Sequence, residues 1–188
     1  MKQLLILSGK GGTGKTTIAS AFIKLAEAKA YADCDVDAPN LHLICSRRET
    51  IENRPFYGFQ KAVKYHDLCI DCGKCEELCR FNAIRNGVLY PYECEGCGVC
   101  EYVCPVEAIN MIPAVAGELM LYSDEEKAFS TAQLKMGSGA PGKLVTAVKQ
   151  TLTQEAPDDA HLAIIDGSPG IGCPVIASIT GVDMVLMV

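Results

Sequence analysis

"LLILSGKGGTGKTT", residues Leu4 to Thr17, decides how the rest of the chain is read. Residues 3–7 form a short apolar run that ends at a glycine-rich turn, the pattern of a buried strand. Residues 15–28, KTTIASAFIKLAEA, carry Ile18, Phe22 and Leu25 at helical spacing. Between strand and helix, Gly9 to Thr16 fits G-x-x-x-x-G-K-[ST], with Gly9, Gly14, Lys15 and Thr16 in the defining places. Chemistry explains the residue types. Glycines at 9, 11, 12 and 14 let successive backbone N–H groups, with Thr13 among them, turn inward around a β-phosphate beside a helix N-terminus. Lys15 then reaches the β- and γ-phosphates, and the Thr16 hydroxyl, followed by Thr17, ligates Mg²⁺. The plain alternative is a chance glycine-rich turn, against which the flanking strand and helix count.

Composition sets outer bounds. The chain has 188 residues, 49% of them hydrophobic and 21% charged, which is globular in character. Seventeen Lys and Arg against 23 Asp and Glu give a formal net charge of -6, so no nucleic-acid partner is expected. The apolar run before Ser8 is too short for a signal peptide, and no stretch approaches the roughly 18–20 apolar residues of a membrane helix. These features lead us to expect a soluble, cytoplasmic protein. In such a reducing compartment, clustered cysteines are metal ligands rather than disulfides.

Farther along, "YADCDVDAPN" (31–40) reads as a second strand ending in an acidic loop, and the polar residues 46–65 as a boundary. Residues 117–137 read as a pair of extended segments, 143–154 as a helix, and "HLAIIDGSPG" (161–170) as a strand entering a loop. A helix over 172–180 and a strand over 183–188 follow. Strands alternating with helices imply an α/β fold with a mostly parallel sheet, interrupted by an inserted module. The expected organisation is therefore 1–65, an insert over 66–112, and 113–188. Because the chain stops on an apolar strand at Val188, we expect it to be the first part of a longer fold. "GSGAPGKL" (137–144) repeats the glycine–lysine spacing but puts Leu144 where a hydroxyl should ligate Mg²⁺, so it reads as a loop and helix start.

"KGGTGKTT", from Lys10 to Thr17, resembles the deviant Walker A loop of the MinD/Mrp/ParA group, relatives of the nitrogenase iron protein. In that group the early lysine reaches the partner's phosphates across a nucleotide-sandwich dimer. Carried to Lys10, the resemblance implies an ATP-dependent homodimer; otherwise Lys10 only adds local positive charge. "DCDVDAPN" (33–40) is similar to the group's switch I, and "IIDGSPG" (Ile164–Gly170) to Walker B with switch II. By that resemblance Asp35 orients the attacking water, with Asp33 and Asp37 as close alternatives. Asp166 binds Mg²⁺ through water, and Gly170 senses the γ-phosphate. Read without the resemblance, the three aspartates are a solvated acidic turn.

Eight of the chain's 11 cysteines lie between Cys69 and Cys104. Cys69, Cys72, Cys75 and Cys79 follow C-x2-C-x2-C-x3-C; Cys94, Cys97, Cys100 and Cys104 repeat it 25 residues on, and Pro105 completes the second run. The same offset aligns Ala83 with Ala108 and Ile84 with Ile109, so two similar half-modules packed about a pseudo-twofold axis are expected. The pattern resembles two-cluster bacterial ferredoxins, in which each run's fourth cysteine ligates the other cluster. That implies one [4Fe–4S] cluster on Cys69, Cys72, Cys75 and Cys104, and a second on Cys94, Cys97, Cys100 and Cys79. Zinc is the alternative, although its knuckles usually pair two C-x2-C units without a third cysteine close by. Arg80 departs from the proline usual after the fourth cysteine. Cys34, Cys45 and Cys173 read as small buried residues, with a redox role for Cys34 as the alternative. His42 and His66 lack ligand-like spacing.

The resemblance thus implies a Mg²⁺-dependent ATPase of the cobyrinic acid a,c-diamide synthase superfamily with a ferredoxin-like α+β insert. Its expected task is to couple nucleotide-driven switch changes to electron transfer, or to delivery of clusters, through a redox partner or an iron–sulfur client. The alternatives are a positioning or partition protein switched by ATP and, last, an ATP-dependent amidoligase, for which no glutaminase domain fits.

Overall fold

The apolar run before the phosphate loop forms strand β1 (Lys2–Leu7), and the loop leads into helix α1 (Lys15–Leu25). A computed structural model describes residues 1–45 and 52–188. Helix α1 ends three residues short of the expected 28. Glu27 adopts φ 48°, and the Ala28 N–H bonds the Ile23 carbonyl at 2.9 Å. This closes a Schellman-type turn with glutamate where glycine is usual. Strand β2 (Ala30–Asp33) and the short helix α2 (His42–Cys45) follow.

The stretch expected to be a polar boundary contains β3 (Glu52–Tyr57) and β4 (Lys61–Lys64); residues 46–51 lie outside the described residues. β3 is an edge strand, where Pro55 is tolerated and polar side chains face solvent, so its pattern carries no period-two signal. After it come a 3₁₀ turn (His66–Leu68), α3 (Lys74–Glu77), β5 (Ile84–Arg85), β6 (Val88–Leu89), α4 (Val99–Tyr102) and β7 (Ile109–Ile112). The chain continues with β8 (Val115–Ser123), β9 (Ala128–Leu134), α5 (Pro141–Glu155), β10 (Leu162–Asp166), α6 (Cys173–Ile179) and β11 (Met184–Met187).

Two compact units result. The first comprises Met1–Phe56, Gly117–Lys135 and Ala140–Val188. Its seven-stranded sheet runs β11-β1-β10-β2-β9-β8-β3. Strands β11 through β9 are parallel, and β8 returns antiparallel to β9. Alternation along the central strands builds two cores. Leu5, Leu7, Ala30, Ala32, Ala163 and Ile165 pack with Leu144, Val145, Val148 and Leu152 of α5. Ile6, Tyr31, Phe129 and Ile164 pack on the other face with Ala19 and Ile23 of α1. Tyr31 and Phe129 stack there at 5.0 Å between ring centroids. Leu144, in the second glycine–lysine stretch, is fully buried in a helix core, as a loop and helix start would place it.

The second unit comprises Tyr57–Ala116 and Met136–Gly139. Strand β4 pairs antiparallel with β7, and β5 with β6. The 25-residue repeat reappears in its backbone. Positive φ angles occur at Asp71 and Gly96, at Gly73 and Gly98, and at Asn82 and Glu107. The Tyr65 N–H bonds the Ala108 carbonyl at 2.8 Å, and the equivalent Tyr90 N–H bonds the Ala83 carbonyl at the same distance. Each half thus donates to the other in the same way.

Where β10 leaves the sheet, Gly167 donates its N–H to the Ile6 carbonyl at 2.9 Å. A Cβ there would lie 2.4 Å from Leu7 Cδ2, 2.9 Å from Leu5 Cδ1 and 3.0 Å from the Ile6 oxygen. Gly167→Ala should therefore lower stability by about 1–3 kcal/mol, read as a reduced denaturant midpoint. An unchanged midpoint would contradict the close packing of β10 on β1.

Candidate functional site

The crossover through α1 carries the chain from β1 past one strand position to β2, and β10 fills the slot between them. Ile6 of β1 and Asp33 of β2 both align with Asp166, the last residue of β10. The phosphate loop, the 33–41 loop and the 166–170 loop consequently leave adjacent carboxyl ends of parallel strands. In open α/β sheets this is where ligands bind.

Lys15 opens α1 after Gly14, which has φ 93°. Its ammonium is buried, 3.4 Å from Asp166 Oδ1 and 3.8 Å from Asp35 Oδ2. Ser8, Gly11, Gly12, Gly14, Lys15, Thr16, Thr17, Asp35, Asn40 and Pro169 line a cavity of about 320 Å³ around it. Gly9, Gly11, Gly12 and Gly14 face open space, leaving room for a ligand close to the backbone. Asp166 Oδ2 and Thr13 Oγ1 are buried with no hydrogen-bond partner among the described residues. Such orphaned oxygens suit hydrated Mg²⁺ or a phosphate. Burial pushes the Asp166 carboxyl above its usual range, opposed by hydrogen bonding from Thr16 and by the Lys15 charge. Asp35 is likewise raised by burial and held down by Lys15.

Asp33 has another job. Its fully buried carboxylate accepts N–H bonds from Asp35 at 3.0 Å and from Asn40 and Leu41 at 2.9 Å. Both oxygens are taken, so it organises the acidic loop rather than facing the cavity. Burial pushes it up to about 6, against the lowering effect of the Leu41 amide. Asp37 is exposed, and its carbonyl accepts from Gln133 Nε2 at 3.2 Å. Two further bonds join the acidic loop to the end of β10. The Cys34 N–H bonds the Asp166 carbonyl at 2.7 Å, and Ser168 Oγ donates to the Cys34 carbonyl at 2.5 Å. The Gly170 N–H reaches the Ser8 carbonyl at 3.1 Å, so the third loop is tied to the first. Lys10 is exposed, with its carbonyl accepting from Ser8 Oγ at 2.8 Å.

Among the described residues, no three of His, Cys, Asp or Glu gather closely enough to hold a single metal ion. The eight module cysteines instead line two cavities in the second unit. Cys69, Cys72, Cys75 and Cys104 share one of about 290 Å³. Cys79, Cys94, Cys97 and Cys100 share another, of about 20 Å³. Backbone N–H groups point at four of the sulfurs: Asp71 to Cys69 at 3.4 Å, Ala108 to Cys104 at 3.1 Å, Ala83 to Cys79 at 3.3 Å and Ala62 to Cys94 at 3.5 Å. Burial raises the Cys75 thiol, and pushes Cys100 up to about 11.

Residues 4–178 match the CobQ/CobB/MinD/ParA nucleotide binding domain. The chain belongs to that family. An uncharacterized protein of Methanocaldococcus jannaschii, MJ0578, is 35% identical over 191 residues. The match takes in 99% of this chain and 66% of that protein, so the chain spans just under two thirds of its relative. Two solved structures are similar in outline. The cell division ATPase MinD of Pyrococcus furiosus aligns at 17% identity and TM-score 0.47, over 100% of this chain and 58% of that one. The septum site-determining protein MinD of Pyrococcus horikoshii OT3, complexed with Mg-ADP, aligns at 16% and 0.45, over 100% and 57%. Membership bears on the nucleotide fold and assigns no role to the cysteine module.

In this CobQ/CobB/MinD/ParA chain, four site residues carried no signal of their own in the sequence. Ser8, Asn40 and Pro169 line the cavity around Lys15, and Ser168 ties two loops together. Ser168 and Pro169 lie within the quoted IIDGSPG, so their position signalled them although their bonds did not. Of the remaining cysteines, Cys34 is fully buried and its thiol is pushed far above its usual range, which leaves it chemically inert. Cys45 is half-buried, and Cys173, expected inside, is exposed because it begins α6 at the end of a surface loop. No helix among the described residues is long and apolar enough to cross a membrane.

The position of Asp33 gives a pH prediction. Its folded value of about 6 lies above the roughly 4 of a free aspartate, so the native state holds this proton more tightly. Between about pH 4 and 6 its contribution to stability therefore falls as pH rises. Asp35 and Asp166, also raised by burial, add slope of the same sign, so Asp33→Asn should make the slope in a pH series of urea midpoints shallower without abolishing it; an identical slope in the variant would contradict the assignment.

Proposed function

We propose that the chain is a Mg²⁺-dependent ATPase whose phosphate loop and two acidic-strand loops form a nucleotide-responsive switch. One observation carries the reading: a buried Lys15 ammonium at three strand ends, between Asp166 and Asp35, beside an unpartnered Asp166 oxygen. The backbone of residues 9–14 would cradle the β-phosphate, while Lys15 would exchange a carboxylate for phosphate oxygens. Thr16 and Asp166 would hold Mg²⁺, directly and through water. Asp35, half-buried and facing the cavity, would orient the attacking water. Asp33 would set the shape of its loop. Gly170, tied to Ser8, would break that bond to meet a γ-phosphate. Lys10 would serve the second subunit of an ATP-bound homodimer. Family membership favours this nucleotide-switch reading, of the kind expected for a MinD- or ParA-like binding protein, over iron–sulfur coupling.

The second unit favours an additional reading through a specific observation, the division of its cysteines into two sets of four. Each set joins three cysteines of one run to one of the other, and backbone N–H groups aim at sulfurs in both. That donor set suits two [4Fe–4S] clusters, which supply one-electron transfer at low potential when bound. The partner would then be a redox protein, and the nucleotide switch would control the exchange.

Lys15→Ala should abolish ATP hydrolysis in a coupled phosphate-release assay, and unchanged turnover would remove the phosphate-loop assignment. Lys10→Ala should reduce turnover while leaving ATP binding to the monomer largely intact. Equal loss of both would make Lys10 a local charge. Protein purified without oxygen should carry about eight iron and eight acid-labile sulfide per chain if both clusters are present. Stoichiometric zinc with little iron would reduce the module to a structural clip.

A further inference from the structure

The 25-residue repeat allows each position around one cysteine cavity to be compared with its counterpart around the other. Lys64, Asp71, Lys74 and Asn86 line the cavity of Cys69, Cys72, Cys75 and Cys104. Their counterparts are Leu89, Gly96, Val99 and Met111, of which Leu89, Val99 and Met111 line the second cavity. Other polar features are matched. Glu76 Oε2 accepts the Gly87 N–H at 2.9 Å, and its counterpart Glu101 accepts the Met111 N–H at 2.7 Å. Each cavity also has two of the backbone N–H groups that point at sulfur.

Lys61 also lies beside the second site, but its ammonium is taken by the Cys94 carbonyl and it does not line that cavity. Among the residues lining the two cavities, Lys64 is the shielded charge that has no counterpart. Its side chain is 6% exposed, whereas that of Asp71, 3.7 Å away, is 85% exposed. Its ammonium donates to the Gly87 carbonyl at 2.8 Å and also hydrogen-bonds Cys69. The ammonium sits at the cavity wall, while the Asp71 carboxylate reaches into solvent, where water and salt screen it more strongly. Lys74 and, at the second cavity, Glu95 are exposed and screened in the same way. Their signs reinforce the difference rather than cancel it.

We propose that Lys64 makes the two cysteine sites electronically unequal, so that the Cys69, Cys72, Cys75 and Cys104 site accepts an electron before the other. The inference rests on the two-cluster reading above. The step moves one electron from a low-potential one-electron donor and makes or breaks no bond. Lys64 stabilises the added negative charge without a proton having to follow it. Net charge, hydrogen bonds to sulfur and solvent exposure are the protein's means of setting such potentials. Backbone hydrogen bonds to sulfur are balanced here, which leaves the Lys64 charge, with its hydrogen bond to Cys69, and the polarity of the lining to decide the order. Lys64 is accordingly a positioning residue for charge and not a ligand.

The test uses the full chain reconstituted with iron and sulfide without oxygen, as wild type, Lys64→Met and Lys64→Arg. Iron and sulfide content is measured first, followed by a dithionite titration monitored by EPR. Wild type should show two separated one-electron steps. Lys64→Met should move the earlier step to lower potential and leave the later one in place, while Lys64→Arg keeps the wild-type separation. Leu89→Lys, which adds the amine at the other site, should raise the later step. Full iron with both steps unmoved in Lys64→Met and Leu89→Lys, or with both shifted equally, would overturn the inference alone. A wild-type chain that retains no iron would overturn the two-cluster reading and the inference with it.

Discussion

Burying an ammonium ion costs several kcal/mol unless opposite charge lies beside it, and Lys15 is buried where three parallel strands end. Its carboxylate neighbours come from the end of β10 and from the loop after β2, so the site exists only when the strand order is correct. Had β10 been placed at the sheet edge, Asp166 would not face the phosphate loop. The slot left by the α1 crossover is thus the constraint from which the site follows. The cores on both faces hold that order, and the loops inherit it.

The three loops are also tied to each other at their roots. Asp33 fastens the acidic loop, Ser168 and the Asp166 carbonyl fasten it to β10, and Gly170 fastens the third loop to Ser8. A ligand that takes the Gly170 amide or the Lys15 ammonium must break a bond in this set. Interfaces of this kind have discrete arrangements, which is how a single phosphate can bias a larger change. The second unit follows a different logic. Its core is small, including Ala62, Ala83, Ile84, Cys94 and Ile109, with several cysteines packed against it. Burial on that scale gives a module little stability of its own, and groups bound to its cysteines would add to it.

Much of this was legible in the sequence, for physical reasons. A phosphate loop demands glycine, lysine and a hydroxyl at fixed places, because left-handed backbone and charge admit few substitutes. Two cysteine runs at one offset announce a repeat because the spacing itself is the message. What was not legible depends on distant partners. Glu27 ends α1 in a conformation usually given to glycine, so the helix looked longer. β3 is polar because it is an edge, and reads as a boundary. Asp33 looked like Asp35, since only the folded loop reveals which carboxylate meets amides and which meets the cavity. Lys64 drew no attention because its partners, Gly87 and Cys69, are not its neighbours in the chain.

The most direct test of the central claim is hydrogen exchange of the whole chain with and without a slowly hydrolysed Mg²⁺–ATP analogue. The account predicts slower exchange at residues 9–17 and 35–41 when the analogue binds, with the strands of the central sheet unaffected. Exchange unchanged in both segments at saturating analogue would contradict it.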